Sequence, residues 1–355
     1  MRLLSSWCLE ALVVVAAMTV HGAEPLLMNE DCFHYFVLQG PQSDGSSEVN
    51  TVGHAGGPEF DLTERGLERY IDEIARGHVT HFLMNLNGSM AMFPSKAFEP
   101  VWTSMSNPNL NHPKWIELLK NAYDRGVDPY AVWIRRCREK GIKPWISIRM
   151  NDLHVVVQPK CAFVSEFWRQ HPQWRIDPTR HYSPEEWGKC AFEDGLDYTV
   201  PEVRNRMLAF LKEVLERYDP DGLELDMIRG TRYLPVGRER ETAHMLTAFM
   251  RQAHGIVRRA EARRGHRVKV AVRLLTRPEE SVKRGLRADL WAEEGLIDAV
   301  IPCNFWDSMD FDIPIAKWKE WTKNRVLVFA GTDSGITDSK GRRLASYSDY
   351  LNWAR

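Results

Sequence analysis

Gly222-Leu-Glu-Leu-Asp-Met227 is the stretch that decides the fold. Successive side chains of an extended strand point to opposite faces. Leu223, Leu225 and Met227 therefore share one face, and Gly222, Glu224 and Asp226 share the other. Trp145-Ile-Ser-Ile-Arg-Met150 divides in the same way, with Ser147 and Arg149 opposite Ile146, Ile148 and Met150. Val268–Leu274 repeats the division, with Lys269 and Arg273 opposite aliphatic residues. A doubly wound sheet carries helices on both faces, so its central strands are apolar on both. One greasy face and one polar face, with the strongest polar groups late in each strand, instead fit a barrel. Helices cover the greasy outside, and the polar side chains line the mouth.

Outward from these strands, short apolar runs alternate with charged, helix-like segments. The strand candidates are Leu26–Met28, His81–Leu86, Lys143–Arg149, Gly222–Met227, Val268–Leu274, Ile297–Cys303 and Val326–Phe329. Helical patterns cover Leu62–Ala75, Trp115–Ala122, Ala131–Lys140, Pro201–Tyr218, Arg240–Arg264, Ser281–Glu294 and Ile315–Lys323. Gly141, Gly265 and Gly295 stand where a helix C-cap is expected before the next strand. Strand–helix alternation means parallel strands with crossover helices. The expected fold class is α/β, a (β/α)8-type TIM barrel over residues 24–355. Its eighth strand is missing from the pattern: Tyr347–Arg355 opens a helix and no strand follows. A C-terminally truncated barrel is the expectation, with a gap beside the first strand unless Cys32–Leu38 supplies a closing one.

The chain has 355 residues, 44% hydrophobic and 27% charged, with a formal net charge of −1. Those proportions exclude wholesale disorder and a multi-span membrane protein. The balanced charge advertises no nucleic-acid partner. Tryptophan, at 13 residues, is abundant enough to suggest carbohydrate, whose flat faces stack on aromatic rings. Arg2, the apolar run Ala11–Val20 and the small residues Gly22 and Ala23 read as a secretory leader over residues 1–23. A secreted or periplasmic location follows; the competing reading of the run is an N-terminal strand. Cys32, Cys137, Cys161, Cys190 and Cys303 contain no CxxC pair, which excludes a zinc ribbon. Cys161 and Cys190 bracket an irregular stretch and are candidates for one bridge, whereas Cys303 reads as a small buried residue. No HExxH, P-loop, GxGxxG or Gly-x-Ser-x-Gly motif occurs, so no cofactor and no metal site are expected.

Barrel active sites lie at the C-terminal strand ends. Asn85, Asn87, Arg149, Asp226, Arg273 and Asn304 occupy those positions, and Asn151, Asp152, His154, Arg229, Trp306, Asp307 and Asp333 follow in the loops. The segment 155–199 is too long for a plain connector and carries Trp168, Trp174 and Trp187 as candidate stacking platforms. Arginines and carboxylates converging on one rim suit a multiply hydroxylated ligand, and equally an ion-pair network among buried charges.

Tyr218-Asp-Pro-Asp-Gly-Leu-Glu-Leu-Asp-Met-Ile-Arg229 resembles the fourth-strand motif of glycoside-hydrolase-like TIM barrels, many of them secreted bacterial proteins. It is more distantly similar to the nucleophile strand of the α-amylase superfamily. Ser147-Ile-Arg-Met-Asn-Asp-Leu-His154 looks like the third-strand end of such proteins. The resemblance implies a carbohydrate substrate and Asp226 as nucleophile. Glycosidic cleavage needs two carboxyl groups about 5–5.5 Å apart for retention, or 6.5–9.5 Å for inversion. Glu224 points the same way as Asp226 but lies deeper, so its expected task is to hold Arg149, Arg273 or Lys269. Asp333 or Asp307 is expected to supply the acid. Two other functions fit the same pattern: a non-catalytic carbohydrate-binding barrel, and a metal-assisted hydrolase such as a deacetylase.

Overall fold

The computed structural model describes residues 13–16, 25–31, 35–36, 62–153, 160–179, 194–304, 312–332, 335–338 and 341–344. Six parallel strands follow one another in chain order: β2 (Leu26–Glu30), β3 (His81–Asn85), β4 (Lys143–Arg149), β5 (Gly222–Asp226), β6 (Lys269–Leu275) and β7 (Ala299–Cys303). The seventh is broken at Phe329 into β8 (Leu327–Val328) and β9 (Ala330–Thr332), both parallel to β7. With helices between the strands, this is the curled sheet of a (β/α) barrel, as the alternating faces require.

The place beside the first strand is not a gap. β1 (Val13–Ala16) lies there antiparallel, pairing Val13 with Asn29 on one side and Val14 with Thr332 on the other. The apolar run read as a leader thus carries a strand, whereas Tyr35 and Phe36, within the alternative closing segment, are helical. An eighth parallel strand is not among the described residues. β10 (Gly335–Asp338) and β11 (Gly341–Leu344) form a separate hairpin.

Local chemistry sets the helix limits. In α1 (Glu64–Arg76), Thr63 caps the start by accepting the Gly66 N–H, and Leu67, Tyr70, Ile71 and Ile74 form the buried stripe. α2 (Lys114–Asp124) and α3 (Pro129–Glu139) are separate, the latter capped by Asp128 with Pro129 at its first position. α4 (Glu166–Gln170) lies in the long insertion, and α5 (Pro201–Arg217) and α6 (Glu239–Arg264) flank β5. The single helix read over Ser281–Glu294 is two, α7 (Pro278–Lys283) and α8 (Ala288–Glu293). Gly285 between them has φ +79, a left-handed conformation that no continuous helix contains. α9 (Ile315–Trp321) is followed by β8.

Two apolar clusters result. The larger fills the layer between the sheet and its helices. The smaller, including Leu27, Leu83, Trp145, Ala271, Ala299 and Ile301, comes from inward strand positions and plugs the barrel floor. Trp115, Trp133, Trp145, Trp291 and Trp318 are all buried. These five of the 13 tryptophans therefore belong to the core.

Candidate active site

Register builds the mouth. Arg149 on β4 stands opposite Asp226 on β5, which stands opposite Arg273 on β6. One layer deeper, Asn85, Ser147, Glu224 and Ala271 align in the same way. Neighbouring strands thus present a cation, an anion and a cation at one height, as the alternation in the sequence implies.

Glu224 is fully engaged. Its oxygens accept from Arg273 Nε at 2.8 Å and Nη2 at 2.9 Å, and Oε2 also accepts from Asn29 Nδ2 at 2.7 Å. Of the three cationic partners expected, Arg273 is the one it holds. Burial works against the Arg273 charge, but the Asp226 and Glu224 carboxylates outweigh it and hold the guanidinium above its ordinary range.

Asp226 is held differently. Its Oδ1 accepts the Ile228 N–H at 3.0 Å, while Oδ2 lies 3.7 Å from Arg273 Nη2 and 3.8 Å from Arg229 Nε. The carboxylate is 2% exposed and oriented by the turn that follows β5. One oxygen is anchored by the backbone, and the other faces two guanidiniums beyond hydrogen-bond distance.

Asp31, one residue past β2, is the group that sequence reading missed. Its Oδ2 accepts from Arg149 Nη2 at 2.6 Å and lies 3.7 Å from Arg229 Nη2. Arg149 also donates to Asp152 at 3.2 Å. A chain of alternating charge therefore runs Asp152, Arg149, Asp31, Arg229, Asp226, Arg273, Glu224. The overlooked signal was Asn29-Glu-Asp31, polar residues placed directly after an apolar run, as at the ends of β4 and β5. The intervening Glu30 points outward and accepts from Tyr70.

Other candidates have structural partners. Asn87 bonds both ways with the Arg149 backbone, at 2.9 and 3.1 Å, and continues the β3–β4 pairing past the end of β3. Asn151 spends its amide on the Leu196 and Arg232 carbonyls and the Leu196 N–H, tying three loops together. Asn85 donates to Ser147, and Asn304 accepts from Thr276 Oγ1 at 2.9 Å. Trp168 donates its indole N–H to Asp194 O and has Arg175 stacked 3.4 Å above its ring; Trp174 stacks on His171 at 3.6 Å. Each ring thus has one face covered. His154, Trp187, Trp306, Asp307, Asp333 and the Cys161–Cys190 pairing lie outside the described residues. Among the described residues no group of three His, Cys, Asp or Glu side chains is placed to hold a metal.

Solved structures resemble the chain in part. A Paenibacillus sp. cycloisomaltooligosaccharide glucanotransferase matches at 9% identity over 77% of this chain and 37% of its own, with a TM-score of 0.45. A Streptomyces plicatus beta-hexosaminidase matches at 13% over 76% and 44%, TM-score 0.42. Alpha-L-fucosidase isoenzyme 2 from Paenibacillus thiaminolyticus matches at 15% over 79% and 41%, TM-score 0.38. The chain spans less than half the length of each. No protein-family model and no curated protein sequence matches it.

Chemically, the mouth offers carboxylates in two states of engagement. Glu224 and Asp31 are each held by hydrogen bonds from an arginine, whereas Asp226 keeps one oxygen without a hydrogen bond among the described residues; Asp226 and Asp31 flank the Arg229 guanidinium. Because both lie within 4 Å of Arg229, the two carboxyl groups stay within the ~10 Å that a glycosidic pair requires.

Proposed function

We propose that the chain is a glycoside hydrolase that cleaves a poly- or oligosaccharide with carboxylates at the C-terminal mouth of the barrel. The contrast between Asp226 and Glu224 carries this reading. Asp226 sits at the strand end with one oxygen fixed by a backbone N–H and the other free of hydrogen bonds among the described residues. That presents it as an acceptor, the role of a nucleophile or base. Asp31 is its described counterpart across Arg229, and Asp307 and Asp333 are the sequence candidates for the acid. A non-catalytic sugar-binding barrel is the second reading, favoured by how completely Arg149 and Arg273 are paired.

Turnover on a panel of aryl glycosides and polysaccharides separates the two, with wild type assayed beside Asp226→Asn. Cleavage by wild type that the variant loses supports the hydrolase. Sugar binding without cleavage by either protein supports the binding barrel. Export is proposed on the sequence of residues 1–23 alone, as the alternative to the strand that Val13–Ala16 forms between β2 and β9. N-terminal sequencing of the product separates the two: a start at Glu24 supports export, and a retained Val13–Ala16 supports the strand.

A further inference from the structure

Arg229 differs from the other two arginines of the mouth. Arg149 and Arg273 each donate hydrogen bonds to carboxylates. Arg229 is 7% exposed, yet among the described residues it makes only ion pairs, at 3.7 Å to Asp31 and 3.8 Å to Asp226, and its Nε is buried with no hydrogen-bond partner among them. The backbone around it is nevertheless rigid. Met227 N–H bonds Arg273 O at 3.1 Å, and the Asn151 side chain ties down Arg232 O at 2.9 Å. Gly230 packs against the Asn151 carbonyl with no room for a Cβ.

The same loop holds two more unspent polar atoms, Thr231 Oγ1 and Tyr233 OH, both buried with no hydrogen-bond partner among the described residues. Burial and the nearby Tyr198, Asp226 and Asp152 push the Tyr233 phenol up, so it stays a donor. Buried donors are almost always satisfied in folded proteins, and a group of unsatisfied ones on a pinned loop marks a place for a ligand.

We propose that Arg229 is a binding group for a neutral sugar: its N–H groups take the oxygens of a vicinal diol, and the diol's own protons go to the Asp226 and Asp31 carboxylates. The charge pattern selects this ligand. The guanidinium alone would suit a carboxylate or phosphate. An anion seated on it, however, would lie against two carboxylates already within 4 Å of the same guanidinium. Hydroxyls donate as well as accept, so they satisfy both kinds of neighbour. The proposal rests on the carbohydrate reading above and adds the substrate class.

Binding is measured by ligand-observed NMR on the full chain. The probes are the methyl glycosides of glucose, galactose and mannose, beside glucuronate and glucose 6-phosphate. At least one neutral glycoside is expected to bind about tenfold more tightly than either anion. Arg229→Lys, which keeps the charge but loses the planar fork, is expected to melt as wild type does and bind about tenfold more weakly. Tyr233→Phe, which removes one unpartnered oxygen, is expected to weaken binding severalfold. Preference for the anions, absence of neutral binding, or unchanged affinity in a folded Arg229→Lys protein each overturns the proposal. Arg229-dependent binding without any cleavage supports it while removing the hydrolase. Cleavage that survives Arg229→Lys at unchanged KM does the reverse.

Discussion

Asp226 and Glu224 sit two residues apart on one strand face, and their surroundings assign them opposite work. Asp226→Asn is nearly isosteric and keeps the Ile228 N–H contact, so melting is expected to stay within ~2 °C of wild type while turnover falls by about three orders of magnitude or more. Glu224→Gln breaks a two-pronged bond to a guanidinium that is 1% exposed. A loss of about 3–5 kcal/mol in denaturant unfolding is expected. If Glu224→Gln melts normally and abolishes turnover, the two roles are exchanged. His81 gives a pH dependence. At the N-terminal end of β3, burial and then Lys143 and Lys269 push its imidazole down to about 4. The unfolded ring takes up a proton below its ordinary 6.5 and the folded ring does not, so stability falls as pH drops from about 6.5 to 4. Each pH unit is worth about 1.4 kcal/mol, and solvent at the half-buried ring reduces the total to about 2 kcal/mol. His81→Gln is expected to flatten the melting-temperature profile across that window.

Among the elements, β5 and the loop after it depend on two glycines for reasons of space. A Cβ at Gly222 would enter the ring of Trp145, which fills the barrel floor. Gly222→Ala is expected to cost about 1–3 kcal/mol, and Trp145→Leu in the same chain to recover part of it. At Gly230 the obstacle is the Asn151 carbonyl, which no side-chain rotation can move. Gly230→Ala is therefore expected to shift the loop that carries Arg229 and to weaken sugar binding more than it lowers the melting temperature. The helix read over Ser281–Glu294 shows the opposite limit: its apolar pattern runs through Gly285, and only the left-handed turn there divides it.

Across the whole molecule, the ring of parallel strands is completed by β1, whose direction opposes every neighbour. A chain beginning at Glu24 lacks that strand and presents unpaired edges on β2 and β9. Compared with the full chain, it is expected to exchange backbone hydrogens faster at Leu27, Asn29 and Ala330, and to aggregate more readily. Equal exchange at those positions in both proteins would show that β1 contributes nothing to closure.

The sequence by itself determined the parallel barrel and most of its mouth. Strand alternation is local, so Arg149, Glu224, Asp226 and Arg273 could be assigned to the inward face without knowing their neighbours. It also separated Glu224 from Asp226 by depth, because two residues along a strand are one pleat repeat. The tertiary structure decided which charges meet. Asp31 and Arg229 are 198 positions apart in numbering, and no periodicity relates them; the pairing arises because parallel strands bring their C-terminal ends to one rim. It also decided what Asn87 and Asn151 do, since an amide that completes another segment's backbone bonds looks the same in sequence as one that faces a ligand. The fate of the apolar run at Val13–Ala16 belongs to the same class. A hydrophobic segment records only that it avoids water, and the open place between β2 and β9 is what gives it a partner.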